Sequence, residues 1–317
     1  MSLPIRVRSR FLITAAILTA GLACATVHAD PLPTMDEMRQ MIKDEKYKEM
    51  SPLLARAISL KGADADQYPK RDLFEMKGEV NMHLKAKGAA ADAFMSAAKA
   101  TDKPDEAAAD IGVALLIKAS GGTMKYTPKT KADKTDKPEP IDIVDPESRK
   151  KALAALAKDM LAVRQPKVDA ALKSTNFDQI NAAGKDLLDV KDVEIAQTGA
   201  ATDSKQVMGD LGNHATKLIG DAMDGMAEKL QNELDAYEKA ASGKSAGAGQ
   251  SQRSVSLSTL GRDAQTTASN AKALGQEAQL LSGTFGDVAD FHLIETKSKE
   301  LVSGADRLLA SVKQHGG

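Results

Sequence analysis

From residue 34 onward, apolar side chains recur at spacings of three and four, the mark of helices with one buried face. Tyr47, Met50, Leu54, Ala57 and Ile58 share such a face, and forty residues later it returns as Ala90, Phe94, Ala97 and Ala98. A further helix is predicted over 105–118. The pattern continues with Leu153, Leu156, Met160 and Val163 over 146–165, then Ile180, Leu187, Leu188, Val190 and Ile195 over 176–198. Met208, Leu211, Ala215, Leu218, Ala222, Met226, Leu230, Leu234 and Tyr237 mark one long run over 203–241. Unbroken, it would extend for about 58 Å. Gly209, Gly212, Gly220 and Gly225 inside it either admit close helix contacts or bend the helix near 220–225. A near-heptad seam follows through Leu257, Leu260, Ala264, Ala268, Ala271, Leu274, Ala278 and Leu281. After a turn predicted at Ser282-Gly283, Phe285, Val288, Phe291, Leu301, Ala305, Leu308 and Val312 resume it. Leu alternating with Ala along a seam favours a tightly spaced antiparallel pair. The fold class is therefore all-α.

Two stretches interrupt the periodicity. Residues 121–145 hold three Pro and five Lys, and their centre reads as a solvated linker or loop tip. The ends alternate at period two, Lys125-Tyr126-Thr127 against Ile141-Asp142-Ile143-Val144, and can pair as a short hairpin. Asp145 and Pro146 then form a helix start, as N-cap and first helical residue. A Gly/Ser/Ala-rich break at 242–250 separates the last helices. The expected organisation is helical repeats over 30–120, the insertion over 121–145, and a helical bundle over 146–317.

Phe74 and Gly78 precede the second copy of the repeated face, at the spacing of a large and a small residue in a tetratricopeptide unit. Residues 34–119 thus resemble degenerate tetratricopeptide repeats with a closing helix; the remainder resembles no family. The pattern departs from that family in its period of 40, with the surplus at 61–71, and in Lys77 and Asn81, where Leu and Tyr are usual. The resemblance implies helix pairs whose inner face binds a partner. In the second repeat that face would present Glu75, Glu79, Met82 and His83, a set suited to a basic or mixed peptide. Read without the resemblance, Ala and Leu at these spacings fit any stack of helical hairpins.

Composition adds the compartment and removes several chemistries. Arg6, Arg8 and Arg10, the uncharged run 11–25 and Val27-His28-Ala29 have the three parts of a secretion signal with cleavage before Asp30. Cys24 in Gly21-Leu22-Ala23-Cys24 offers lipidation as the lesser alternative. Cleavage at Ala29 would remove the single cysteine, leave no transmembrane segment, and leave 40 basic against 44 acidic residues, a net charge of −4. That surface has no electrostatic footprint for nucleic acid. With no Trp, six Phe and four Tyr, the chain favours close helix packing and disfavours sugar stacking. His83, His214, His292 and His315 show no metal-binding spacing, and no G-x-S-x-G or H-E-x-x-H occurs. Gly243-Lys244-Ser245 lacks the preceding strand and glycine of a phosphate loop, and Asp221, Asp224 and Glu228 read as an exposed helix face. No cofactor, metal or catalytic residue is expected. The function these features predict is an exported, periplasmic or extracellular, non-enzymatic interaction or scaffold protein of the cell envelope. It would hold a protein or peptide partner, with self-association through the long helices an open option. The alternative is a periplasmic ligand-binding or chaperone-like helical protein.

Overall fold

Thr34 starts the first helix with a reciprocal cap: its hydroxyl accepts from the Glu37 N–H, and its own N–H donates to the Glu37 carboxylate. A computed structural model describes residues 31–121, 123–129, 138–242 and 250–314, apart from the side chains of 250–257. The predicted leader with Cys24, the insertion tip 130–137, Gly243-Lys244-Ser245, the Leu257 side chain and His315 lie outside the described residues.

Helices α1 (Met35–Lys43) and α2 (Tyr47–Ser59) form a first hairpin, and α3 (Lys70–His83) and α4 (Lys87–Ala98) a second. Their turns repeat bond for bond. Lys46 N–H donates to the Met41 carbonyl and Ala86 N–H to the Asn81 carbonyl, each one turn past a helix end. Glu45 and Lys85, at the same place in each turn, both take a left-handed conformation with φ 59°. The forty-residue period thus extends to the backbone. A short 3₁₀ helix, Gly62–Gln67, takes up the surplus between the hairpins.

Helix α5 (Pro104–Ala119) packs on α4. The chain then makes the expected hairpin: β1 (Lys125–Tyr126) pairs antiparallel with β2 (Ile141–Asp142), Tyr126 opposite Ile141. Tyr126 is buried and donates its hydroxyl proton to Asp159 at 2.6 Å, which ties the hairpin to α6 (Pro146–Ala171). Asp145 caps α6 by accepting from the Ser148 N–H, as the sequence predicts. The helix continues through Pro166 to Ala171 and is longer than the apolar stripe alone indicates. Val163, placed on that stripe by its spacing, is 69% exposed. The side of α6 facing its neighbour is occupied there by Arg164, which donates to the Asp186 carbonyl.

Helix α7 (Phe177–Thr198) is the junction of the molecule, packed against α5 and α6 and also against α8 (Asp203–Ala241) and α9 (Gln250–Phe285). With α10 (His292–Gln314), α8 and α9 form a three-helix bundle. Helix α8 is continuous, so its glycines do not break it. Glu194 supplies its N-terminal cap from α7: the buried carboxylate accepts from the N–H groups of Thr202 and Ser204 and from the Ser204 hydroxyl. The turn expected at Ser282-Gly283 instead follows Phe285. Fully buried Phe285 lies against Gly184 of α7 and Gly212 of α8, and α9 must run on to deliver its ring there. Ala289 also sits where a Gly212 side chain would be. One buried apolar cluster joins Met82 to Val312, so the hydrophobic core continues across the insertion. Among the described residues, no helix is long and apolar enough to cross a membrane.

Candidate functional site

Helices α3 and α5 meet other helices through glycine. A side chain on Gly78 would strike the Phe94 ring of α4, and one on Gly112 would strike the Asp192 carbonyl and Ala196 of α7. In this respect α7 stands to α5 as α4 stands to α3, and the hairpin and α6 intervene in the chain between them. The two glycines lie 34 residues apart, and Glu75, Met76 and Glu79 are matched at the same interval by Ala109, Asp110 and Val113. All six of these matched residues line a groove of about 410 Å³, which Arg39 and Ile42 of α1, Asp72 of α3 and Arg149 of α6 complete on its sides.

The groove is lined by charges held in fixed arrangements. Arg71 reaches three carboxyl groups: its Nε donates to Asp110 at 2.9 Å, its Nη2 to Glu75 at 2.7 Å, and its Nη1 lies 3.2 Å from Glu106. Arg39 bridges α1 to Asp72 at 3.0 Å. Arg149 forks onto both oxygens of Glu79, at 2.5 and 2.9 Å, while also donating to the carbonyls of Ile143 and Val144. Around Arg71 three carboxyl groups meet two cations, because Lys103 also holds Glu106, at 2.8 Å. Burial, and then the neighbouring Asp110 carboxyl, push the Glu75 carboxyl up to about 7. Burial raises Asp110 as well, against the pull of Arg71.

This shift fixes the sign of one pH dependence. The Glu75 carboxyl holds its proton more tightly in the folded chain than at its ordinary value of 4.5, so folding takes up protons between there and about 7. Stability is full below that window, declines through it and levels above it. With the partial exposure of Glu75 reducing the effect, the decline is about 1–2 kcal/mol. Urea midpoints at a series of pH values check it: Glu75→Gln should flatten the slope, and an unaltered slope in that variant would contradict the assignment.

Of the four residues expected to face a partner, the structure brings two together on the groove. Glu75 and Glu79 line it. Met82 is fully buried and belongs to the core, so it offers no contact surface. His83 stacks on Tyr47 with ring centroids 4.0 Å apart, and burial lowers its affinity for a proton. Nor are the two glutamates interchangeable exposed acids, since Glu79 balances an almost buried arginine. Reversing both to lysine would place a cation against Arg149 and would disturb the fold as well as the surface.

Sequence reasoning missed Arg39, Arg71, Asp110 and Arg149. The 34-residue interval from Gly78 to Gly112 was the available signal, since it aligns α5 with α3 and puts Asp110 on the groove face. Elsewhere, Asp224 is held by Lys297 at 2.7 Å, and among the described residues no set of three or more acids, His or Cys is placed to hold a metal ion. Comparison with family models, curated proteins and solved structures returns no match to this chain.

Proposed function

We propose that the chain is an exported, non-enzymatic interaction protein of the cell envelope, whose groove between α1, α3 and α5 holds a basic segment of a protein partner. The observation on which this rests is the charge of the groove: Asp72, Glu75, Glu79 and Asp110 line it against Arg39 and Arg149, and beside it Arg71 is shared by Glu75 and Asp110 while Lys103 takes Glu106. A lysine or arginine from a partner would balance the excess carboxylate around Arg71 and displace the proton held there. The hairpin turns repeated at forty residues, and the glycine crossings repeated at 34, support a degenerate tetratricopeptide-like array as its frame. In this reading α5, the helix expected from the sequence to close the array, instead opens a further pair that α7 completes, and the bundle of α8, α9 and α10 spaces the array from its surroundings or joins it to a second copy.

Recovery of the partner on the processed chain from envelope extracts tests the reading. Glu75→Gln removes one carboxylate and keeps the volume and one hydrogen bond to Arg71. It should reduce recovery about tenfold, with the loss narrowing at high salt. Undiminished recovery on a variant with unchanged circular dichroism would move the partner to the hairpin or the bundle.

A further inference from the structure

Helices α8 and α10 run side by side in the same direction, Asp224 beside Lys297 at one level and Tyr237 bonded to the Val312 carbonyl further along. Between those levels lies an opening lined by both helices. The opening is a cleft of about 260 Å³ with an apolar floor of Met223, Leu230 and Leu301, each no more than 5% exposed. Gly304 is part of its wall, and a methyl group there would meet nothing nearer than Leu230 Cδ1 at 3.6 Å. Unlike Gly78 or Gly112, whose missing side chains are replaced by a neighbouring helix, Gly304 has room for a methyl group in ordinary contact with Leu230.

The two ends of the cleft differ in charge. At one, the Lys297 ammonium sits 2.7 Å from both oxygens of Asp224 and is neutralised. At the other, Arg307 lies one turn beyond Gly304 on the same face, and no described carboxylate pairs with it. Glu300 is the remaining charged residue of the lining, one turn before Gly304, on the side toward the neutral pair. A cleft of this size, with an apolar floor and, at one end, a guanidinium that no described carboxylate pairs with, is complementary to a short amphipathic anion.

We propose that the α8–α10 cleft binds a short aliphatic chain ending in an anionic head, with the chain along Met223, Leu230 and Leu301 and the head at Arg307. This site is separate from the groove of the N-terminal helices and does not depend on what that groove holds. Calorimetric titration of the whole processed chain with decanoate, below its micelle concentration, provides the test. One saturable site per chain is expected. Gly304→Leu, which fills the trough with an ordinary helix former, should abolish it, and Arg307→Gln should weaken it about tenfold. Decanol should bind no better than decanoate binds the Arg307 variant, and decyltrimethylammonium should bind least. Absence of a saturable decanoate site would overturn the proposal, as would equal affinity for decanoate and decanol. Binding unchanged in a folded Gly304→Leu chain would equally overturn it, because the ligand would then lie elsewhere.

Discussion

Replacing Arg149 with alanine should destabilise the chain by about 3–5 kcal/mol, the range found when one partner of a buried ion pair is removed. This guanidinium links three parts of the structure. Its fork holds Glu79 on α3, while Nε and Nη2 donate to the carbonyls of Ile143 and Val144, at the junction between the hairpin and α6. Truncation leaves a carboxylate without its counter-charge and two carbonyls without a donor. A lysine restores the charge but cannot reproduce the fork, so Arg149→Lys should recover less than half of the loss. Pairing Arg149→Met with Glu79→Gln removes both charges together and should be milder than Arg149→Ala alone. Urea midpoints at constant slope read each difference. A loss below about 1 kcal/mol in Arg149→Ala would show that the pair is dispensable.

The second large effect belongs to Phe285. Its ring is fully buried against Gly184 and Gly212, where α7, α8 and α9 come together. Phe285→Ala should cost about 3–5 kcal/mol, the sum of lost burial and the cavity left behind. The two glycines test the same contact from the opposite side. Gly184→Val should also destabilise, because its new side chain would occupy the position of the ring and force Phe285 or Thr284 to shift. Thermal melts of both variants measure this. Neutral behaviour in both would mean that α7 joins the bundle through other contacts.

Much of the fold can be read from the sequence because helices announce themselves locally. The run 203–241 gives the bounds of α8, and the period-two ends of the insertion give its hairpin. The errors lie where tertiary contact overrides periodicity. Val163 has the spacing of a core residue, yet Arg164 covers the adjoining backbone of α7. The turn at Ser282-Gly283 has good turn chemistry, yet burial of Phe285 extends the helix past it. The groove was legible only in part for a related reason. Glu75 and Glu79 share one helix face and can be found from their spacing. Arg149 and Asp110 come to them from other helices, 70 and 35 residues further along the chain, and a helical period within α3 contains no information about that approach. Met82 lies on the boundary of the same face, and one residue of rotation separates groove from core.

The groove between α1, α3 and α5 is proposed to grip a basic segment of another protein. The direct measurement is photocrosslinking from Val113 in intact envelopes, with the captured peptide sequenced at the crosslink. Val113 lines the groove, and Val163, exposed on α6, provides a control position outside it. Adducts are expected from Val113 whose partner peptide contains lysine or arginine beside the crosslinked residue, stronger above neutral pH than below it, and diminished by Glu75→Gln. Adducts that form from Val163 but not from Val113, or groove adducts lacking basic residues and indifferent to Glu75→Gln, would contradict it.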